Sequence, residues 1–231
     1  MQPWHWLMLG LVWLGVASAC TACKHTETQA AAVAPAASLS PLEKGLVQEI
    51  NLARTQPKAY AAFLEQLRPN YKGGRGQGPG QRTTVTQGGK TTHITAEGPK
   101  ALDEAIAFLR STPPLPPLEV SKGMSLGARD HVKEQERTGT MGHQGRDGSQ
   151  PGDRVNRYGR WQGTISENIA FGMDSARSMM VALIIDDGVP SRGHRKNIFD
   201  ARVRVMGVAC GSHRAGRTLC VTTFAASYRD L

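Results

Sequence analysis

Between Met141 and Phe199 the chain carries two histidines and two carboxylates on separate short segments. His143 lies in Met141-Gly-His-Gln-Gly145, Asp153 in Pro151-Gly-Asp-Arg154, Glu167 in Ser166-Glu-Asn-Ile-Ala170 and His194 in Ser191-Arg-Gly-His-Arg-Lys-Asn-Ile198. Gly, Ser or Asn flanks each of them, the composition of the loops and element ends where binding and catalytic groups gather. Imidazoles and carboxylates that converge from several segments can hold a metal ion or move protons.

Two chemistries are open to these residues. Two neutral imidazoles with one or two carboxylates make a first shell for Zn²⁺ or another divalent cation, with room for a water that the metal would acidify. The spacing matches no zinc-helix signature such as H-E-x-x-H. In the second chemistry no metal is involved: Glu167 and Asp153 orient the imidazoles by hydrogen bonds, and the cleft binds a ligand or the groups hold the loops in place. No serine or cysteine is marked as a nucleophile by its context; Ser166 precedes Glu167 but lacks a nucleophile-elbow sequence.

The order of these motifs, followed by Met206-Gly-Val-Ala-Cys210 and a strand bearing Cys220, resembles the CAP superfamily. That family comprises cysteine-rich secretory, antigen 5 and pathogenesis-related proteins, and its module is also called the SCP domain. The resemblance covers residues 42–69 and 114–228. It implies an α+β fold, an α-β-α sandwich with a small antiparallel sheet between helices. It also implies a central cleft lined by His143, Asp153, Glu167 and His194. Some relatives bind divalent metals there, others bind sterols or fatty acids at separate apolar sites, and proteolysis has been proposed for a few. Where relatives usually carry a Trp shortly before the Gly-His motif, this chain has Ile184-Ile-Asp-Asp-Gly-Val-Pro190, which changes the cleft wall beside His194.

The elements that must position these groups follow from periodicity and punctuation. Ser40-Pro41 caps a helix whose buried face is Leu42, Leu46, Ile50 and Ala53; Asn51 and Arg54 read as polar ties to neighbouring loops. Pro57 breaks that helix and residues 58–67 restart one. Residues 101–109 form another short helix, which the run Pro113–Leu118 ends as an extended connection. Residues 121–137 read as a helix with His131 on or beside its buried face, hydrogen-bonded in the core and outside the site. Residues 175–185 are a strongly apolar helix, its Met179, Met180, Leu183 and Ile184 assigned to the core. Arg202–Gly211 and Thr218–Ser227 are two strands of a hairpin. Between these elements, about residues 70–100 form a Gly/Thr-rich insertion with a short hairpin around Thr83–Val85 and Thr91–Ile94.

The 231 residues carry a formal net charge of +9 and 39% hydrophobic residues, with a mean hydropathy of −0.36. This excludes a polytopic membrane protein and suits an anionic partner such as head groups or envelope polymers. No long Lys/Arg run and no interleaved aromatics point to nucleic acid. Residues 4–19 are an apolar run ending in Ala17-Ser18-Ala19, too short to span a bilayer and typical of a cleaved export signal. Cys20 follows directly, so the mature protein is either lipidated at Cys20 and membrane-associated or plainly secreted. Residues 20–40 are an Ala-rich tether, and residues 41–231 are the CAP domain. In an exported chain Cys210 and Cys220, at facing ends of the last hairpin, form a disulfide. The reading is of a monomeric, non-enzymatic module for a lipid-like or cell-envelope ligand, with a metal-dependent, peptidase-like hydrolase as the alternative and a structural interaction domain with an inert tetrad third.

Overall fold

Ser40 opens the first helix, α1 (Pro41–Thr55), through a capping box: its side chain accepts from the Glu43 amide while Glu43 accepts from the Ser40 amide. Both orphan donors are thereby satisfied at the point where the chain enters the domain. The structure, a computed structural model, describes residues 38–73, 83–87, 90–214 and 217–231. The segment read as an export signal, Cys20, all but the end of the expected tether and the middle of the expected insertion lie outside the described residues.

After α1 come α2 (Pro57–Leu67), the short strands β1 (Tyr71–Gly73), β2 (Thr83–Gln87) and β3 (Lys90–Thr95), and α3 (Pro99–Ser111). The insertion hairpin is present as β2 and β3, and β1 joins it in parallel to β3. Then follow β4 (Glu119–Val120), α4 (Lys122–Thr138), α5 (Pro151–Val155), β5 (Gly159–Phe171), α6 (Ala176–Ile185), α7 (Gly193–Ile198), β6 (Val205–His213) and β7 (Arg217–Asp230). The central sheet has the order β4-β6-β7-β5. It is mixed, not purely antiparallel as expected, because the two-residue β4 runs parallel to β6. Asn51 fixes that strand's approach by bonding both Leu118 backbone groups at 2.8 and 3.1 Å.

Alternation along the strands divides the core into two layers. Met206, Val208, Ala170, Cys220 and Phe224 face α1, α2, α3 and α6 in the main apolar cluster. Ala209, Leu219 and Val221 face Ala128 and Val132 of α4, with Ile169 and Phe171 packed against them. The helix can press this close because Gly207 has no side chain; a Cβ there would collide with the Met124 backbone. Arg54, expected to be a structural tie, is fully buried and donates to the carbonyls of Pro116, Ile198, Asp200 and Val203. Burial lowers its pKa to about 10, which leaves it charged at any physiological pH.

Cys210 and Cys220 are direct cross-strand partners of β6 and β7 and are disulfide-bonded. The bridge closes a loop with a sequence separation of only 10. Reducing it, or replacing both residues by Ala, is expected to cost about 2–3 kcal/mol on loop-entropy grounds. Urea denaturation with and without reductant measures this; an unchanged midpoint would mean the loop is held by the ladder alone.

Candidate functional site

Ser166-Glu-Asn-Ile-Ala170 is not a loop but part of the 13-residue strand β5. Neighbouring residues on a strand point to opposite faces, so Glu167 and Asn168 each serve a different layer. Glu167 points to the α4 side, where its Oε1 accepts from His143 Nδ1 at 3.0 Å. Asn168 points to the other side, where its Nδ2 donates to the His194 carbonyl at 3.0 Å and its Oδ1 accepts from Asn197 at 2.9 Å. One dipeptide thus places both histidine segments, and His194-Arg-Lys-Asn197 is the short helix α7 rather than a loop.

The His143 segment is irregular, and buried polar groups hold it. Arg154, 1% exposed, donates to Glu167 Oε2 at 2.8 Å, to the His143 carbonyl at 3.0 Å and to the Ser149 carbonyl at 2.9 Å. From α4, Gln135 donates to the Gly142 carbonyl at 2.8 Å. His131 Nε2 lies 2.7 Å from Gln135 Nε2 and 3.9 Å from Glu167 Oε1. His131, 1% exposed and hydrogen-bonded, is thus the core residue expected, outside the cleft wall, and it lies in the support beneath His143.

The His194 segment is held by a second carboxylate, which is Asp186 and not Asp153. Asp186 is the C-cap of α6 in the left-handed region at φ 55°, a conformation Asp tolerates better than most residues. Its Oδ1 accepts from His194 Nδ1 at 2.7 Å and its Oδ2 from the His194 amide at 2.9 Å. Arg195 donates to the Ile184 and Ile185 carbonyls at the end of α6, satisfying groups every helix C-terminus leaves open.

Asp153 is exposed, and its Oδ2 accepts from the Gln150 amide at 2.9 Å as part of the capping box of α5. It does not line the cleft. The physical reason is local: three residues into a helix, a carboxylate closes on its own N-terminus. The residue that takes the expected role sits in Ile184-Ile-Asp-Asp187, the stretch noted for departing from the family pattern.

Arg192 ties this wall to the end of the insertion. It donates to Glu97 at 2.7 Å through both terminal nitrogens and to Glu104 at 2.8 Å, while Asp187 accepts from the Ala96 and Glu97 amides. The hydrogen-bonded Arg192 guanidinium holds the Glu97 carboxyl down at about 2. A carboxylate with a lowered folded-state pKa contributes stability that is whole above the ordinary carboxylate range and is lost as pH falls toward 2. The expected result is that Glu97→Gln melts below the unaltered protein at pH 6 and that the two melting temperatures converge near pH 2. A constant gap across that window would show that the ion pair contributes nothing.

The two histidines open onto a cleft of about 240 Å³. Its walls are Met141 and His143 on the α4 side, Ile169 to Phe171 of β5, and Leu183, Asp186 and His194 on the α6 side. A carboxylate only accepts, so each Nδ1 carries a proton, and in the neutral imidazole each Nε2 is left to present a lone pair. Both carboxylates are spent on this orientation. Among the described residues no group of three or more His, Cys, Asp or Glu is arranged to hold a metal ion. The donor set available to a divalent cation is therefore two imidazoles, one short of the three protein ligands of catalytic zinc centres.

A profile of the cysteine-rich secretory protein family, CAP, matches residues 104–225. No curated protein matches the chain. Among solved structures, an outer surface protein of Borrelia burgdorferi is similar at 18% identity and a TM-score of 0.42, over 48% of this chain and 78% of that one. An extracellular protein of Bacillus anthracis containing an SCP domain is similar at 21% identity and 0.41, over 55% and 39%. A cysteine-rich secretory protein of Staphylococcus aureus is similar at 13% identity and 0.35, over 59% and 41%. The chain thus spans well under half the length of the last two.

Proposed function

Since the chain belongs to the cysteine-rich secretory protein (CAP) family, we propose that it is an exported, non-enzymatic module that binds a cell-envelope ligand. The ligand has an apolar part and a polar group, and it sits between His143 and His194. One observation carries this reading: the cleft is walled by Met141, Ile169, Phe171, Met173 and Leu183 with two carboxylate-backed imidazoles, and among the described residues no serine, threonine or cysteine lines it. Apolar lining with a few convergent polar groups is what small-ligand sites have. Export is supported by the leader sequence, by the Cys210–Cys220 bridge and by the compartments in which such bridges persist. The net charge of +9 favours an anionic envelope environment over a neutral one; nucleic acid has no place in it.

The alternative is a hydrolase that uses the same cleft. It would need water activated by an imidazole or by a bound cation, since the wall supplies no nucleophile of its own. Mass spectrometry of protein purified without added metal or chelator decides between the two. The expected outcome is a co-purified envelope molecule that is lost in Leu183→Glu, and no turnover on ester, peptide or glycan panels. Turnover that disappears in both His143→Ala and His194→Ala would replace this reading with the hydrolase. Intact-mass analysis is expected to find a mature chain starting at Cys20, acylated or free; retention of residues 1–19 would remove export.

A further inference from the structure

We infer that the cleft binds an extended peptide segment by adding it as a strand to the free edge of β5, between His143 and His194. The inference rests on the binding-module reading and names its ligand class. Among the described residues, strand β5 ends the sheet order and has β7 as its one strand partner. One residue past the Phe171–Leu219 pair that ends the ladder, the Gly172 amide donates to the Thr218 carbonyl at 2.8 Å and continues its register. In an antiparallel pair such bonded positions alternate with outward-facing ones. The amide and carbonyl groups of Glu167, Ile169 and Phe171 therefore point away from β7. The Glu167 carbonyl accepts from Asn197 Nδ2 at 3.2 Å, in agreement with that direction. The outward amides and carbonyls of Ile169 and Phe171 meet no partner among the described residues, and both residues line the cleft.

A row of peptide donors and acceptors at strand spacing is a template for another backbone. An acyl chain seated there would leave the same groups unsatisfied, at a cost for each. The edge is also bounded. Asn197 closes it at Glu167, and Gly172, at φ 81°, turns the chain out of the strand after Phe171. At about 3.3 Å per residue the open length takes roughly three residues of an extended chain. Alternate side chains of that peptide would face the wall of Met141 and His143 and the wall of Leu183 and His194.

The test uses the purified protein and a pool of acetylated hexapeptide amides built from Ala, Leu, Val, Thr and Lys. NMR amide exchange at Ile169 and Phe171 follows binding, and dodecanoate is titrated in parallel. The expected result is that a pool member binds and slows exchange at both amides. Its two alternately N-methylated isomers should then differ, one losing affinity about tenfold or more and the other keeping it, since only one register turns its amides and carbonyls toward β5. No bound peptide, unchanged exchange at Ile169 and Phe171, or equal affinity of the two isomers would overturn the inference. If dodecanoate shifts the cleft resonances and no peptide does, the strand-addition inference fails while the binding-module reading stands. If neither binds, both fail.

Discussion

Arg154→Met is expected to destabilise the protein by about 3–5 kcal/mol, the cost of leaving a buried charge without its partner. Glu167, whose side chain is 1% exposed, would lose its guanidinium partner, with His143 Nδ1 left as its one close contact among the described residues. The carbonyls of His143 and Ser149 would also lose their donor. The loss acts on the site as well as on the fold, because the irregular segment 139–150 has no ladder or helix of its own to replace those bonds. The double variant Arg154→Met, Glu167→Gln removes both charges and should recover part of the stability, since a buried pair replaced as a whole is far less costly than a pair broken in half. Urea denaturation of the four proteins in this cycle gives the answer. A loss in Arg154→Met no larger than the ~1 kcal/mol typical of an exposed ion pair would mean that water reaches Glu167 and that the His143 support is not what the geometry says.

What sequence alone reveals here follows from how each residue is used. Helices α1, α2, α3, α4 and α6 were legible because apolar residues recur on one face and Ser40, Pro41, Pro57 and the proline run mark their ends. Strands β6 and β7 were legible as short apolar runs around a Gly-rich turn. Strand β5 was not, because Glu167 and Asn168 are buried on its two faces, and polar residues at both parities erase the alternation that signals a strand. Helix α7 was hidden for a similar reason: its six residues hold four polar side chains, and three of them, His194, Arg195 and Asn197, bond to neighbouring elements. Asp153 misled because motif order says which residues are present, not which way a carboxylate turns, and a capping box claims it locally. Asp186 had a usable signal: an acidic residue just after an apolar helix and eight residues before a histidine. His131 was legible as a buried, hydrogen-bonded residue from its place on the face of α4, but not as support for His143; Arg154 carried no signal, because a buried charge cannot be told from an exposed one without knowing what packs above it.

Asp186→Asn is expected to weaken whatever binds the His194 Nε2 lone pair by about 10–100-fold, the range found when a carboxylate behind a ligating imidazole is removed. The amide can accept at Oδ1 but can also present its NH₂ to Nδ1, and that moves the imidazole proton onto Nε2. Zn²⁺ is a direct probe of the lone pair, read by calorimetry at neutral pH. The two-imidazole donor set predicts binding that His143→Ala or His194→Ala abolishes and that weakens in acid, where a ligating imidazole is protonated. Glu167→Gln should act on His143 as Asp186→Asn acts on His194. Asp153→Asn should leave binding unchanged, because the cap it forms lies outside the cleft. His131→Ala should not be neutral, since His131 lies 3.9 Å behind the Glu167 oxygen that orients His143. If Asp153→Asn weakens binding as much as Asp186→Asn, the assignment of Asp186 as the second acid of the cleft is wrong. If the unaltered protein binds no Zn²⁺ at all, the two Nε2 atoms do not converge on one ion. The metal-dependent hydrolase then falls, and the apolar cleft with its open strand edge is left as the functional surface.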